Sequence, residues 1–306
     1  MVDILVETAD KYRLYTAAFQ RPDAELRAIT DLFQLNSHRQ PCGMREDFCG
    51  TAANCLSWVR AAQDRVAYGV DIDPEPLAWC RQHYLDQLTP DETRRLQLVS
   101  GNVLDVVTPK VDLILALNSS FCVFKSRELL RRYLMRCHDS LLDSGILVLE
   151  VYAGPESQMS GQDRIQGDGF TAIWEQVKFN AVTNEALNRI HFEMADGSRL
   201  ECAFEYDYRL WAPAELREAL LETGFHNARV FRKDIKDHIG KTDFSWALTP
   251  PDKPPLSYLL FRGTGWRTLL KLIIPVVLLV IIFVKEPISI AVFIAILITL
   301  AIFLCF

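Results

Sequence analysis

Between residues 40 and 150, short apolar runs alternate with amphipathic stretches. In residues 126–142, apolar positions recur at three- and four-residue steps, which predicts a helix with Ser126 as its N-cap. Strands that alternate with helices predict βαβ units and an α/β fold with a Rossmann-like, doubly wound sheet. The apolar runs that predict buried strands are residues 65–70, 95–100, 111–117 and 145–151.

After Val151 the pattern becomes that of antiparallel strands. Residues 170–211 alternate apolar and polar positions, and Asp196 and Gly197 have the composition of a hairpin turn. We therefore expect an antiparallel, β-rich insert. This insert lies within a first domain that we place at residues 1–248.

The C-terminal part of the chain differs in character. Residues 249–266 are rich in proline and predict an extended linker. In residues 267–306, the apolar runs 272–284 and 288–306 are separated by Lys285, Glu286 and Pro287. The second run is long enough to cross a hydrocarbon core of about 30 Å as a helix. The pattern predicts a C-terminal transmembrane helical hairpin.

Two further features concern this hairpin. The first run is short and contains Pro275, so a buried soluble helix and a re-entrant or interfacial helix stay open as alternatives. Arg262, Arg267 and Lys271 precede it, which favours a cytoplasmic N-terminal side. We therefore expect a membrane location with the first domain on the cytoplasmic side.

Charge and cysteine content exclude several classes of function. The net charge is −6 and no basic stripe is present, so the sequence does not suggest a nucleic-acid partner. The eight cysteines form no Cys-x-x-Cys pair, and the six histidines show no ligand spacing. We therefore expect neither a metal site nor a disulfide framework, but reduced thiols in a cytosolic compartment.

The segment MREDFCGTAAN, residues 44–54, predicts a strand, a tight turn at Cys49 and Gly50, and a helix with Thr51 at the capping position. Such a turn points backbone N–H groups at a ligand. Asp71 lies 21 residues after Gly50, at the tip of the next strand. An acidic residue there is typical of Rossmann-type sites, where it holds ribose hydroxyls.

The glycine pattern of this turn discriminates between nucleotide ligands. The dinucleotide fingerprint needs three glycines for the approach of a pyrophosphate. Phe48 and Ala52 occupy two of those places here. The turn therefore favours S-adenosylmethionine over NAD, and an NAD-dependent oxidoreductase is the weaker alternative.

The motifs resemble those of class I S-adenosylmethionine-dependent methyltransferases. The resemblance is to a poorly characterised bacterial and plant group whose first motif reads REDFCGTA, and it covers most of residues 9–232. The stretches that carry it are DKYRLY (10–15), REDFCGTA (45–52), GVDIDPEPLAW (69–79), NVLDV (102–106), LNSSFCVFK (117–125), LVLEVYAG (147–154), FTAIWEQVKFN (170–180) and YDYRLW (206–211).

The resemblance implies positions for the parts of the cofactor. Glu46 and Gly50 are expected at its methionine end, Asp71 at the ribose, and Asn118 beneath the sulfonium. Asn102 stands where an acidic residue is commoner in this family. The full set of expected cofactor-binding residues is Tyr12, Glu46, Phe48, Cys49, Gly50, Thr51, Asp71, Ile72, Asn102, Val103 and Asn118.

The charges of the first strand leave two interpretations open. Side chains alternate along a strand, so Arg45 and Asp47 share one face while Glu46 and Phe48 share the other. Either Arg45 and Asp47 form a buried structural network, or one of them contacts the cofactor's amino-acid end or the substrate. Cys49 has no activating base nearby in sequence, so a nucleophilic role is not expected.

Methyl transfer needs an oriented nucleophile in a dry site more than it needs a catalytic side chain. We therefore name no catalytic residue. Strand ends and the insert are expected to supply substrate-binding residues, namely Ser119, Tyr152, Tyr208 and Arg209. Trp174 and Tyr206 of the insert are further aromatic candidates, whereas Tyr12 and Tyr15 are candidates to close over the cofactor. The expected acceptor is a small molecule or a lipid-like, membrane-associated one, and a non-catalytic regulatory module that binds S-adenosylmethionine is the alternative.

Overall fold

The computed structural model describes residues 10–35, 37–238, 241–248 and 278–284. The helices are α1 (Lys11–Phe19), α2 (Pro22–Gln34), α3 (Ala53–Ala61), α4 (Pro74–His83), α5 (Pro90–Arg95), α6 (Arg127–Ser140) and α7 (Pro213–Glu222). The strands are β1 (Gly43–Asp47), β2 (Val66–Asp71), β3 (Leu96–Ser100), β4 (Val111–Ala116), β5 (Leu141–Tyr152), β6 (Gly161–Gln166), β7 (Phe170–Asn180), β8 (Glu185–Met194), β9 (Arg199–Arg209), β10 (His226–His238), β11 (Lys241–Leu248) and β12 (Leu278–Val284).

The larger sheet has the order β11-β10-β12-β5-β4-β1-β2-β3. Its strands β3, β2, β1, β4 and β5 pair in parallel. The chain proceeds outward from β1 in one direction and then, from β4 onward, in the other. A crevice therefore opens at the carboxyl ends of β1 and β4, where ligands bind in sheets of this kind. The predicted Rossmann-like architecture is confirmed.

Helices cover both faces of this sheet, which explains the continuous apolar runs of its strands. In β4, Leu113 and Leu115 pack with α2, α3 and α4, whereas Ile114 and Ala116 pack with α6 and α7. All four side chains are fully buried. A strand buried on both faces has no position for a polar side chain that lacks a partner.

The second sheet is the predicted insert, with strand order β6-β7-β8-β9 and antiparallel pairing throughout. It begins at Gly161, earlier than the predicted boundary at residue 170. Helix α1 packs on it through Leu14 and Ala18. These two residues join Phe192 and other apolar residues of the insert in a hydrophobic cluster that is separate from the two clusters flanking the larger sheet. The chain's first described helix thus belongs to the insert's core.

Strand β12 corrects the prediction for the first apolar run of the tail. Residues Leu278–Val284 were expected in a transmembrane helix, but they lie antiparallel between β5 and β10. A short apolar run fits a central strand as well as a buried helix, and periodicity cannot separate the two. Within the described residues, no helix is both long and apolar enough to cross a membrane. The predicted linker at 249–266 and the rest of 267–306 lie outside the described residues.

Candidate functional site

The turn after β1 uses three left-handed backbone positions in alternation. Phe48, Gly50 and Ala52 have φ values of 58°, 54° and 56°. Glycine adopts this conformation freely, whereas a side chain there costs roughly 1–2 kcal/mol. Strain of this kind is commonly retained at functional sites. Ala52, not the predicted Thr51, is the N-cap residue of α3, and no side chain caps the helix.

Gly50 leaves open space in front of this turn. A Cβ atom placed on Gly50 would meet no atom within 4 Å. Its N–H donates a 2.7 Å hydrogen bond to Asp71 Oδ2, and Asp71 Oδ1 accepts one of 2.9 Å from the Asp73 N–H. Burial raises the pKa of Asp71, and these two backbone hydrogen bonds oppose the rise. The turn and the end of β2 are thus fixed relative to each other.

Glu46 faces α3, on the opposite side of β1 from its two charged neighbours. Its carboxylate accepts hydrogen bonds from Asn54 Nδ2 at 2.7 Å and from Cys55 Sγ at 3.4 Å. The side chain is buried, and this burial raises the pKa of Glu46 to about 7, although both hydrogen bonds act against the shift. Glu46 is therefore only partly ionised at neutral pH.

Arg45 and Asp47 form a buried network on the other face of β1. Arg45 Nε lies 2.9 Å from Asp47 Oδ1, and the Tyr133 hydroxyl donates a 3.0 Å hydrogen bond to Asp47 Oδ2. Both charged residues are 1% exposed. Of the two interpretations of these charges, the structural network is the one that the structure shows.

A second strained corner lies across the crevice, after β4. Asn118 and Ser119 have φ values of 53° and 57°. The Asn118 N–H donates a 2.5 Å hydrogen bond to the buried Glu150 carboxylate, and Ser119 Oγ accepts one of 3.0 Å from the Tyr152 N–H. These bonds hold the ends of β4 and β5 together at the same edge of the sheet as the turn after β1.

Helix α1 is tied to α4 over this edge. The Tyr12 hydroxyl donates a 2.8 Å hydrogen bond to Glu75 Oε1, and Lys11 Nζ lies 3.0 Å from the same oxygen. Trp79 Nε1 donates a 2.8 Å hydrogen bond to Asp10. The Tyr12 ring also lies 5.9 Å from that of Phe204 on the insert. The helix therefore bridges the two sheets.

A cavity of about 440 Å³ lies between the carboxyl edge of the main sheet, α1 and the insert. Most of the predicted site residues meet there, although they come from six separate segments of the chain. Those that line it are Tyr12, Glu46, Phe48, Cys49, Gly50, Thr51, Asp71, Asn118, Ser119, Tyr152 and Tyr208.

Four predicted residues are not among those that line the cavity. Ile72 is 66% exposed, Val103 lies in the hydrophobic core, and Asn102 Oδ1 accepts a hydrogen bond from the Leu104 N–H. Arg209 donates to the Lys125 carbonyl oxygen, and its guanidinium lies 3.8 Å from the centre of the Trp211 ring. It is held in the packing of α7 against the insert rather than in the predicted substrate site.

Beside the expected Trp174 and Tyr206, the insert contributes cavity residues that its sequence did not single out, namely Asp163, Asn188 and Ile190. Asp163 on β6 is paired with Trp174 on β7, which is paired in turn with Ile190 on β8. Asn188 on β8 faces the same cavity. Alternation along each strand shows which residues share a face of the insert, but not which face lines the cavity. The pairing register between strands places these residues side by side, and a single sequence does not contain that register.

A larger, more open groove of about 1070 Å³ runs along α2 and α3. It contains none of the predicted site residues and none of the strained turn positions. Within the described residues, no group of three histidine, cysteine or acidic side chains is placed to hold a metal ion. Most of the predicted site residues and most of the strained turn positions belong to the smaller cavity.

Several solved methyltransferase structures share the fold of this chain. One is the S-adenosylmethionine-bound amino pentose methyltransferase CalS10 from Micromonospora echinaspora. The superposition covers 93% of this chain and 100% of the CalS10 chain, with a TM-score of 0.58 and 14% sequence identity. A methyltransferase from Clostridium acetobutylicum matches 76% and 91%, with a TM-score of 0.55 and 16% identity. The fold is that of the Rossmann-like methyltransferases.

A third methyltransferase supports the same conclusion about the fold. The sugar N-methyltransferase KedS8 from a Streptoalloteichus species matches 74% of this chain and 86% of its own, with a TM-score of 0.53 and 17% identity. No protein-family model matches the sequence, and no curated protein matches it. At these identities the methyltransferase likeness is a likeness of fold, and a shared fold does not by itself establish the chemistry.

Proposed function

We propose that the protein transfers a methyl group from S-adenosylmethionine to a small-molecule acceptor. The observation that carries this proposal is the shared cavity, which has a nucleotide-type turn on one side and the aromatic face of the insert on the other. The REDFCGTA motif forms that turn, and we infer that the chain belongs to the class I methyltransferase group with this motif. The methyltransferase neighbours support the cofactor assignment.

The residues of the main sheet fit this cofactor. The open space before Gly50 accommodates its methionine portion, the carboxylate of Glu46 suits its ammonium group, and Asp71 suits its ribose hydroxyls. When bound, S-adenosylmethionine supplies an electrophilic methyl group on a sulfonium. The chain's own part is to orient the acceptor in line with that methyl and to keep water out, through α1 and the insert.

The same cavity fits NAD poorly. A pyrophosphate brings two negative charges, and the described lining includes the carboxyl groups of Glu46, Asp71, Asp73 and Asp163. Phe48 and Ala52 also carry side chains at left-handed positions where the dinucleotide fingerprint has glycine. Charge and turn geometry therefore both favour S-adenosylmethionine.

Calorimetric titration of the full chain with S-adenosylmethionine, S-adenosylhomocysteine and NAD tests the cofactor. We expect the first two to bind and NAD not to bind, and tighter binding of NAD would contradict the proposal. Incubation with isotope-labelled cofactor and cell extract then tests turnover by the mass of the product. Binding without any labelled product would favour the non-catalytic regulatory module.

We also propose that residues 288–306 attach the chain to a membrane, with the catalytic domain on the cytoplasmic side. The run carries no charge and is long enough for one crossing. Because Leu278–Val284 pair in the sheet, a single crossing replaces the hairpin, and Phe306 is expected on the far side. Val284 pairs with Ile146, at the end of β5 opposite Tyr152, so the attachment point lies at the edge of the sheet away from the cavity and does not favour a lipid-like acceptor.

Membrane attachment has a direct test. In intact cells, a Phe306→Cys variant that also carries Cys305→Ser should react with a membrane-impermeant thiol reagent. A chain truncated after Pro287 should move to the soluble fraction. Recovery of the full-length chain in the soluble fraction without detergent would contradict this part of the proposal, and no labelling at position 306 would contradict the single crossing.

A further inference from the structure

Asn188 is a buried polar side chain that faces the cavity from the middle of the insert. It is 3% exposed, and its Oδ1 atom has no hydrogen-bond partner among the described residues. Its neighbours across the sheet are Gln176 on β7 and Tyr206 on β9. An unsatisfied buried amide oxygen is expected to bond something else. The oxygen is closed off from solvent in this orientation, so a ligand in the cavity reaches it when the Asn188 amide turns toward the cavity.

Aromatic rings surround Asn188 on this side of the cavity. The Tyr152 and Trp174 rings meet edge to face at 5.2 Å, and the Tyr206 and Tyr208 rings stack at 5.4 Å. Burial raises the pKa of both Tyr206 and Tyr208, so their hydroxyl groups are neutral at physiological pH. The faces of these rings carry partial negative charge, so they attract a cationic group and disfavour an anionic one.

The charged side chains around the cavity also favour a cationic ligand over an anionic one. Lys11 is the one cationic side chain among the described residues that line it, and its ammonium group lies 3.0 Å from the Glu75 carboxylate. Four lining residues carry carboxyl groups, and Asp163 among them belongs to the insert. A phosphate or carboxylate on the acceptor would therefore meet a negative lining with no arginine or lysine aimed at it.

We propose that the methyl acceptor is an amine that binds between these aromatic rings and donates an N–H hydrogen bond to Asn188 Oδ1. This inference rests on the proposed methyltransferase function and deepens it, because it assigns the substrate class and a specificity-determining residue. Asn188 positions the acceptor and takes no part in bond making.

The transfer balances with the residues present. The acceptor binds as an ammonium and first gives one proton to water. The lone pair of the resulting neutral amine forms the new N–C bond, the C–S bond breaks, and its electron pair stays on sulfur. The positive charge thereby moves from sulfur to nitrogen without a change in the total charge of the cavity's contents. A lining that stabilises the sulfonium also stabilises the methylated ammonium, which later releases a proton to water.

Three probes of similar shape and different charge test the substrate class. The full chain is first titrated with S-adenosylhomocysteine, and the saturated complex is then titrated at pH 7.5 with benzylamine, benzyl alcohol and benzoate. We expect benzylamine to bind at least about tenfold more tightly than benzyl alcohol, and benzoate not to bind. Equal binding of the three, tighter binding of benzoate, or no binding of benzylamine would overturn the inference.

Variants at position 188 test the role of the amide. Asn188→Leu should weaken benzylamine binding about tenfold, in line with the loss of one hydrogen bond, and leave S-adenosylhomocysteine affinity unchanged. Asn180→Leu, at the exposed end of β7 in the same insert, is the control. If Asn188→Leu fails to fold, Asn188→Asp replaces it and should strengthen benzylamine binding. Unchanged benzylamine affinity in the folded variant would remove Asn188 from the site.

The proposed function and the amine acceptor can be refuted separately. No binding of S-adenosylhomocysteine by the wild-type chain would refute the proposed function. Binding of S-adenosylhomocysteine together with a preference for benzoate or benzyl alcohol would leave that function in place and refute the amine acceptor.

Discussion

The backbone N–H of Gly50 donates a 2.7 Å hydrogen bond to Asp71 Oδ2. This bond joins the turn after the first strand to the tip of the second, two parts of the chain that are 21 residues apart. It places an open glycine position and a carboxylate side by side at the edge of the cavity. Substitutions can test the two residues one at a time, because Asp71 contributes charge and Gly50 contributes open space to ligand binding.

Asp71 contributes a charge that Asp71→Asn removes while an acceptor oxygen for Gly50 remains. We expect the affinity for S-adenosylmethionine to fall about tenfold to a hundredfold, as for loss of a charge-assisted hydrogen bond of roughly 1.5–3 kcal/mol. Calorimetric titration measures it. Asp91→Asn, an exposed carboxylate paired with Arg94 and Arg95, is the control and should bind normally. Equal affinities of the two variants would exclude Asp71 from the cofactor site.

Gly50 contributes open space. Gly50→Val should abolish binding of S-adenosylmethionine, because the side chain enters the cavity, and it should lower stability by about 1–2 kcal/mol through its positive φ. Gly169 also has a positive φ and no atom within 4 Å of an added Cβ, but it does not line the cavity. Gly169→Val should therefore show a similar loss of stability in thermal unfolding with unchanged binding. Normal binding by the Gly50 variant would show that the turn does not face the ligand.

Glu46 predicts a pH dependence of cofactor binding. Burial raises the pKa of Glu46 to about 7, so the folded chain favours the protonated carboxyl group. The stability that this group contributes is present below the ordinary pKa of a glutamate side chain, and it is lost as the pH rises through the folded-state pKa of about 7. If ionised Glu46 receives the cofactor's ammonium, affinity should rise roughly fivefold between pH 6 and pH 7 as the ionised fraction grows. Titrations at both pH values measure this. Glu46→Gln should bind weakly at both, and a wild-type affinity that is flat over this range would contradict the assignment.

The pair of Arg45 and Asp47 should affect stability rather than binding. Arg45→Met leaves the Asp47 carboxylate buried without its cation, which costs about 3–5 kcal/mol. Denaturant unfolding measures the loss, and the double variant Arg45→Met/Asp47→Leu should recover part of it. Arg94→Met, which breaks an exposed pair, should show no measurable change. Weaker S-adenosylmethionine binding by folded Arg45→Met would instead support the interpretation in which this residue contacts the ligand.

Strand β12 predicts where the chain can be shortened. A chain that ends after Val284 retains the strand between β5 and β10, whereas one that ends after Val277 leaves both neighbours without a hydrogen-bonding partner on that side. We expect the shorter chain to be markedly less stable in thermal unfolding, or insoluble. Equal stability of the two chains would show that Leu278–Val284 add nothing to the sheet.

The sequence by itself determined the parallel sheet, the antiparallel insert and the turn at residues 45–52. These features follow from local patterns, because hydrophobic periodicity and turn composition depend on residues that are close in the chain. The alternation along β1 likewise predicted that Arg45 and Asp47 share one face and Glu46 the other. Sequence could not decide which face meets the cavity, since α3 and α6 pack on opposite sides only in the folded chain.

Only the tertiary structure decided the features that depend on partners far away in the chain. The apolar segment Leu278–Val284 is a strand because β5 and β10 offer it backbone partners on both sides. Arg209 packs on Trp211, whereas Asn188 enters the cavity through the register of the insert. Each of these placements is set by cross-strand pairing and packing between distant segments, and the local pattern of a single sequence carries no information about that register.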